Sequence, residues 1–251
     1  MIPKGFWPVM LTAFNNNNQI DYQAMDELTN WYIGSGASGL FTVCGSGEMF
    51  TLSNDERLNL AKRVVERTKG QAPVIASGTF ANTIEKQADF IKEMGDTGVE
   101  AVICIVNQLA EENEPDDIWK KNTEKLLRLT GEIPLGFYEA PMPYHRILSV
   151  ETLKWASQTN RFVFIKETSA NFPLIKAKIE AVKESQIVFF NAHGPSLLKS
   201  LKAGGDGYCG IAGNYYPALF AWLSKNFDIQ PKIGKDLQNI ITKKEKGLIE
   251  N

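Results

Sequence analysis

One pattern limits what this chain can fold into more than any other. Eight times in succession a short apolar run is followed by a stretch with helical spacing. The strand-like runs are residues 6–11, 39–43, 73–77, 101–105, 134–138, 162–166, 187–190 and 207–209. Helices are expected over 21–33, from 53 onward, and over 83–94, 115–129, 150–158, 173–183, 195–202 and 217–225. The runs are continuously apolar rather than alternating, so the strands are buried on both faces, as in a parallel sheet covered by helices. An open doubly wound sheet and a closed barrel both fit that rhythm. Eight βα units within 251 residues favour a (β/α)8 TIM barrel, which takes about 250 residues. The expected division is a barrel domain over 1–226 and a short C-terminal helical extension over 227–251.

Local signals agree with the rhythm. Ser53 and Glu56 have the spacing of a capping box at a helix start. Gly34-Ser-Gly36-Ala-Ser-Gly39 matches the dinucleotide fingerprint G-x-G-x-x-G, but it follows a helix and precedes a strand. The fingerprint needs the reverse order. These glycines are expected to cap the first helix and to let it pack closely on the second strand.

Charge narrows the partners. With 27 basic and 29 acidic residues the chain carries a net charge of -2, which suggests neither nucleic acid nor a membrane surface. Residues 1–5 show no charged segment leading into an apolar one, and no apolar run approaches the roughly 20 residues needed to span a bilayer. Cys44, Cys104 and Cys209 are odd in number and far apart, so a disulfide framework or zinc knuckle is not expected and a reducing cytoplasm is.

In a closed barrel of this kind, chemistry sits at the C-terminal strand ends. The sixth run, Phe162-Val-Phe-Ile165, stops on Lys166 at the rim of the core, followed by Glu167 and Thr168. Burial there is expected to lower the amine pKa and expose a nucleophile for a carbonyl carbon. A surface lysine closing a strand is the plainer alternative. After the second strand, Cys44-Gly45-Ser46-Gly47-Glu48 offers backbone N–H groups and a hydroxyl to an anion, or is an ordinary tight turn. After the fifth comes Tyr138-Glu139-Ala140-Pro141, where a tyrosine can relay protons or be a core aromatic. After the seventh comes His193, and after the eighth Cys209 opens a glycine-rich loop that leaves room for a ligand.

In that order these stretches resemble the dihydrodipicolinate synthase and N-acetylneuraminate lyase family of pyruvate-dependent class I aldolases. The resemblance spans about residues 5–217 and rests on Thr12-Ala13-Phe14, Gly45-Ser46-Gly47-Glu48, Tyr138-Glu139-Ala140-Pro141, Ile165-Lys166-Glu167 and Gly204-Gly205-Asp206-Gly207 with Asn214. It implies that Lys166 forms an imine with the C2 carbonyl of pyruvate or a related 2-oxo acid. It also implies that Tyr138 shuttles protons, that Gly45 and Ser46 hold the carboxylate, and that no metal or cofactor is needed.

The chain departs from the family pattern in ways that redirect the substrate. Gly45 stands where a threonine is usual. Asn107-Gln108-Leu109 replaces a Pro-Tyr-Tyr segment that reaches into a neighbouring subunit. The arginine that receives an aldehyde's carboxylate in the synthases falls at about Pro143. Both losses argue against dihydrodipicolinate synthesis. His145, Arg146 and His193 are expected either to bind the distal part of a different substrate or to be surface residues; Thr168 and Cys209 complete the candidate contacts. The acidic run 111–117 reads as the solvated start of a helix. The expected activity is carbon–carbon bond cleavage or formation on a sugar-derived 2-oxo acid. A 2-keto-3-deoxy sugar acid dehydratase using the same imine, or a catalytically silent 2-oxo-acid-binding member, is the alternative. A homo-oligomer is expected, with the usual tetramer in doubt and a dimer at least as plausible, since only about 35 residues follow Asn214.

Overall fold

The apolar runs pair in chain order as parallel strands. In the computed structural model, which describes residues 1–249, the strands are β1 (Gly5–Phe6), β2 (Leu40–Thr42), β3 (Val74–Ser77), β4 (Ala101–Ile105), β5 (Leu135–Tyr138), β6 (Phe162–Glu167), β7 (Val188–Asn191) and β8 (Gly207–Tyr208). They form one sheet in the order β1-β8-β7-β6-β5-β4-β3-β2. Its two ends meet: Val9 bridges Phe41, and the Met10 N–H donates to the Phe41 carbonyl at 2.9 Å. The barrel is closed, and the expected (β/α)8 architecture is the fold. β1 is shorter than the expected 6–11 because Pro8 has no N–H to give to a ladder.

The intervening helices are α1 (Tyr22–Gly34), α2 (Asn54–Thr68), α3 (Ile84–Asp96), α4 (Asp116–Leu129), α5 (Val150–Ser157), α6 (Phe172–Val182), α7 (Leu197–Lys202) and α8 (Pro217–Asn226). Most start on a side-chain cap. Ser53 and Glu56 form the complete capping box of α2, and Ser149 accepts from the Thr152 N–H at the start of α5. A final helix, α9 (Pro231–Ile249), packs against α7, α8 and the turn after β7. Among the described residues no helix is long and apolar enough to cross a membrane.

Packing positions the strand ends. Trp7, Phe41, Phe164 and Phe190 fill the barrel interior, with Trp7 edge-on to Phe164 at 5.6 Å and Phe164 stacked on Phe190 at 4.7 Å. Each such ring contributes about 1.5–3 kcal/mol by burial. Gly136 makes space for them: a Cβ there would lie 2.9 Å from the Phe164 Cβ and 2.5 Å from Ile103. Gly39 likewise admits the Trp7 indole, which a Cβ would meet at 2.4 Å, so this glycine serves packing inside the barrel rather than of a helix on a strand, while Gly36, at φ 92° just beyond α1, fits the expected helix end.

One irregularity has a chemical consequence. Leu135 pairs with Phe162 but Gly136 pairs with Phe164, so β6 passes over one residue against β5. An unbroken register would set Tyr138 beside Ile165. The shift sets it beside Lys166.

Candidate active site

Lys166 and Tyr138 form the floor of the site. Lys166 is 4% exposed, and its Nζ lies 4.1 Å from the centre of the Tyr138 ring. Among the described residues the ammonium makes no ion pair. Burial, the largest single influence, disfavours its charge; the Tyr138 oxygen, the next largest, works against it, and the amine sits above the ordinary lysine value. This corrects the expectation of a lowered pKa. The resting amine holds its proton and must shed it before attack, and the Tyr138 oxygen is the neighbour with the largest effect on it. Burial pushes the Cys209 thiol up to about 12 and raises Cys44 as well, so both stay protonated beside the amine. Cys209 adjoins the site as a small neutral wall.

The Gly45–Gly47 turn lies next to this floor. It is bracketed by two residues in left-handed backbone, Val43 at φ 48° and Glu48 at φ 57°. A β-branched residue such as Val43 is strained there, by about 1–3 kcal/mol, and such strain collects at functional turns. Thr12 Oγ1 donates to the Gly47 carbonyl at 2.7 Å and tethers the turn. A Cβ on Gly45 would fall 2.8 Å from the Tyr138 hydroxyl, so the glycine lets that hydroxyl come down onto the backbone. Ser46 is half-buried beside it.

Above Lys166 opens a cavity of about 430 Å³, whose lining includes Tyr138, His145, Lys166, Thr168, His193 and Glu245. The structure thus brings together five of the residues singled out in the sequence. Burial lowers both histidines below the ordinary value, with the Glu167 carboxylate pulling each of them back up. Arg146 is not brought in. Its guanidinium turns away onto the carbonyls of Glu111 and Glu114 and pairs with Asp116 at 3.0 Å. Burial raises Asp116, but hydrogen bonds from Thr152, Arg146 and Ser149 outweigh that and hold it low. The acidic run at the start of α4 thus serves as the arginine's docking site.

Sequence reasoning missed the charges behind the floor. Side chains alternate along a strand, so the residues after Tyr138 and Lys166 face the opposite way. Glu139 and Glu167 are wholly buried there and meet Lys178 of α6: Nζ lies 2.6 Å from Glu139 Oε1 and 3.3 Å from Glu167 Oε1. Glu139 also accepts from the N–H groups of Leu148 and Thr168. Burial raises its pKa despite Lys178. A signal existed: Lys178 shares a helical stripe with Ile175, Ile179 and Val182, where a cation needs a buried partner. Asn107, where the family's tyrosine segment is absent, donates to the carbonyls of Ala140 and Met142 at 2.9 Å each and shapes the loop after β5. Glu245 arrives from α9, accepting from the Tyr208 hydroxyl at 3.0 Å, and nothing local in the sequence places it there.

Comparison with known proteins points the same way. The family described as dihydrodipicolinate synthetase matches residues 2–240. A 4-hydroxy-tetrahydrodipicolinate synthase of Oceanobacillus iheyensis is 27% identical over 240 residues, 96% of this chain and 74% of that protein. One of Bacillus subtilis is 26% identical over 219 residues, 87% of this chain and 74% of that protein. Among solved structures, a chloride-inhibited dihydrodipicolinate synthase from Acinetobacter baumannii, complexed with pyruvate, is 22% identical. It superposes with a TM-score of 0.87 over 99% of this chain and 84% of that one. A synthase from Bacillus anthracis is 23% identical with a TM-score of 0.85, covering 96% of this chain and 82% of that one. At such identities the structural likeness speaks for the fold.

Proposed function

The chain belongs to the dihydrodipicolinate synthetase family, whose members are lyases of the class I aldolase type, and on that premise we propose that Lys166 forms an imine with a 2-oxo acid. The observation that carries this reading is the buried Lys166 amine, without a carboxylate partner among the described residues and set against the Tyr138 ring. The amine attacks the C2 carbonyl, and the two protons its nitrogen loses are relayed through the Tyr138 hydroxyl to the carbonyl oxygen, which leaves as water. The resulting iminium withdraws electrons, so the adjacent carbon becomes an enamine without metal or other cofactor. Among the described residues the main-chain N–H groups of Gly45 and Ser46 donate to no backbone carbonyl, and only that of Ser46 has a neighbour, the Cys44 sulfur, which suits the turn to hold the substrate carboxylate. The Tyr138 hydroxyl then gives its own proton to the enamine carbon and regains one from water in the cavity.

The substrate in this reading is pyruvate or a sugar-derived 2-oxo acid, with carbon–carbon bond cleavage or formation as the reaction. Dihydrodipicolinate synthesis is disfavoured because the cavity offers a distal carboxylate no arginine: Arg146 points away and Glu245 lines the wall. Dehydration of a 2-keto-3-deoxy sugar acid through the same imine is the second reading, favoured by two histidines that burial lowers and that lie within the cavity. The setting we propose is a cytoplasmic homo-oligomer; exposed Ile211, Tyr215, Ile229 and Ile233 supply apolar surface for it. The test is borohydride reduction with pyruvate followed by mass spectrometry. The expected result is a pyruvyl adduct on Lys166 that is absent in Lys166→Ala; no adduct on the wild-type chain overturns the reading.

A further inference from the structure

His145 is placed by a chain of hydrogen bonds that begins at both catalytic strands. Thr168, two residues beyond Lys166, donates its N–H to Glu139 Oε2 at 3.0 Å, and its Oγ1 lies 2.6 Å from the Glu139 carbonyl. A carbonyl oxygen carries no proton, so in that short contact the threonine hydroxyl is the donor. The same Oγ1 lies 2.8 Å from His145 Nε2. Its one proton is already committed to Glu139, so it accepts here, and the proton of the second contact belongs to Nε2. The tautomer of His145 is therefore determined by heavy-atom geometry. Its Nδ1 has no hydrogen-bond partner among the described residues, and the ring lines the cavity that holds Lys166. Glu139, at the origin of the chain, is fixed by Lys178 and by the Leu148 N–H. His193 differs: Ser196 Oγ lies nearer to its Nδ1, at 2.9 Å, than to its carbonyl, at 3.2 Å, so the serine proton is not committed to the carbonyl and the geometry leaves the His193 tautomer open.

We propose that His145 is a second proton-transfer residue of this site, its Nδ1 acting on the hydroxyl of the substrate carbon that becomes the aldehyde, with Thr168 and Glu139 as positioning residues. The inference rests on the imine reading above. In the cleavage direction Nδ1 takes the hydroxyl proton and the oxygen's electrons form the aldehyde C=O. The carbon–carbon bond breaks, and its electron pair passes into the iminium to give the enamine. The imidazolium, at the open mouth of the cavity, then releases its proton to water. In the condensing direction the imidazolium protonates the new alkoxide. Tyr138 keeps the proton transfers at the imine, and the two groups divide the substrate between its near and distal ends. The charged groups and the second histidine around His145 are Glu139, Lys166, Glu167, Lys178, His193 and Glu245, and Tyr138, Tyr208 and Tyr215 share the cavity wall; Glu167 favours the imidazolium and Lys178 opposes it.

The chain has 2 histidines, which makes nitrogen-15 NMR of the imidazoles direct. The wild-type enzyme is expected to show one histidine locked as the Nε2–H tautomer and titrating below 6.5; an Nδ1–H tautomer at His145 overturns the proposal. The kinetic probe is condensation of pyruvate with glyceraldehyde. His145→Gln keeps a donor for Thr168 but has no base, and should lower kcat about 100-fold, the lower end of general-base effects. Borohydride trapping and deuterium exchange at the pyruvate methyl should stay at wild-type levels. Thr168→Val should lower kcat about tenfold and release the tautomer, with Thr168→Ser restoring both. A His145→Gln enzyme within twofold of wild type overturns the proposal. Absence of trapping in the wild-type enzyme overturns the imine reading instead, while the tautomer measurement still decides the geometry.

Discussion

Lys166 and Lys178 are both buried lysines at the same pair of strand ends, and they are opposites in environment. Lys178 is wholly buried between two carboxylates, while Lys166 has a ring, two thiols and open space. A buried charge is tolerated when paired, and pairing makes the amine a structural strut. An unpaired amine beside a cavity stays chemically available. The difference lies in the side chains that alternation along β5 and β6 presents to each face, Tyr138 inward and Glu139 and Glu167 outward. Reactivity and rigidity are thus built from adjacent residues on the same two strands.

The largest test of the contrast is at Lys166. Lys166→Met should abolish the pyruvate adduct and lower turnover by about 10⁴-fold or more, while leaving the denaturation midpoint unchanged or raised, since an unpaired amine is removed. A large loss of stability would show Lys166 to be a strut as well. Lys178→Met should do the reverse. Stranding two buried carboxylates should cost about 3–5 kcal/mol in urea unfolding, while the folded fraction still forms the adduct. Adding Glu139→Gln and Glu167→Gln should recover most of that loss, and an unchanged midpoint in the single variant would break the comparison.

Smaller effects sharpen it. Glu139 has a raised pKa in the fold, so the folded state holds the extra proton. Its contribution to stability is full below the unfolded glutamate value of about 4.3 and declines as pH climbs through the folded value. Unfolding measured from pH 4 upward should show that decline, and Glu139→Gln should flatten it. Ser46→Ala should raise the KM for pyruvate about fivefold, one hydrogen bond's worth, with little change in kcat. The smallest effect is expected at Arg146, whose guanidinium lies outside the cavity. Arg146→Ala should leave kcat/KM within about twofold and cost roughly 1 kcal/mol of stability through the lost Asp116 pair. A tenfold kinetic loss would bring Arg146 into the site after all.

Which residues were legible follows from how local their cues are. Lys166 and Tyr138 stand out because each ends an apolar run at a strand's C-terminal edge, the working edge of a barrel. His145 and His193 stand out as lone histidines on the following loops, though only the cavity shows that they face the same space. Arg146 offered the same cue and points elsewhere, held by the carbonyls before α4 and by Asp116. Glu245 was beyond reach, since a residue on α9 meets Tyr208 only through the packing of α9 on the barrel.

By itself the sequence determined the eight-fold rhythm, the buried character of each strand and the lysine that ends residues 162–165, because these depend on neighbours along the chain. Tertiary structure decided what that lysine faces. The passed-over residue in β6 sets Lys166 rather than Ile165 beside Tyr138, and the closing of the barrel brings in Cys44 and Cys209. Burial and apolarity are properties of one segment; register and charge pairing belong to two segments at once, and they become definite only when the strands and helices have met.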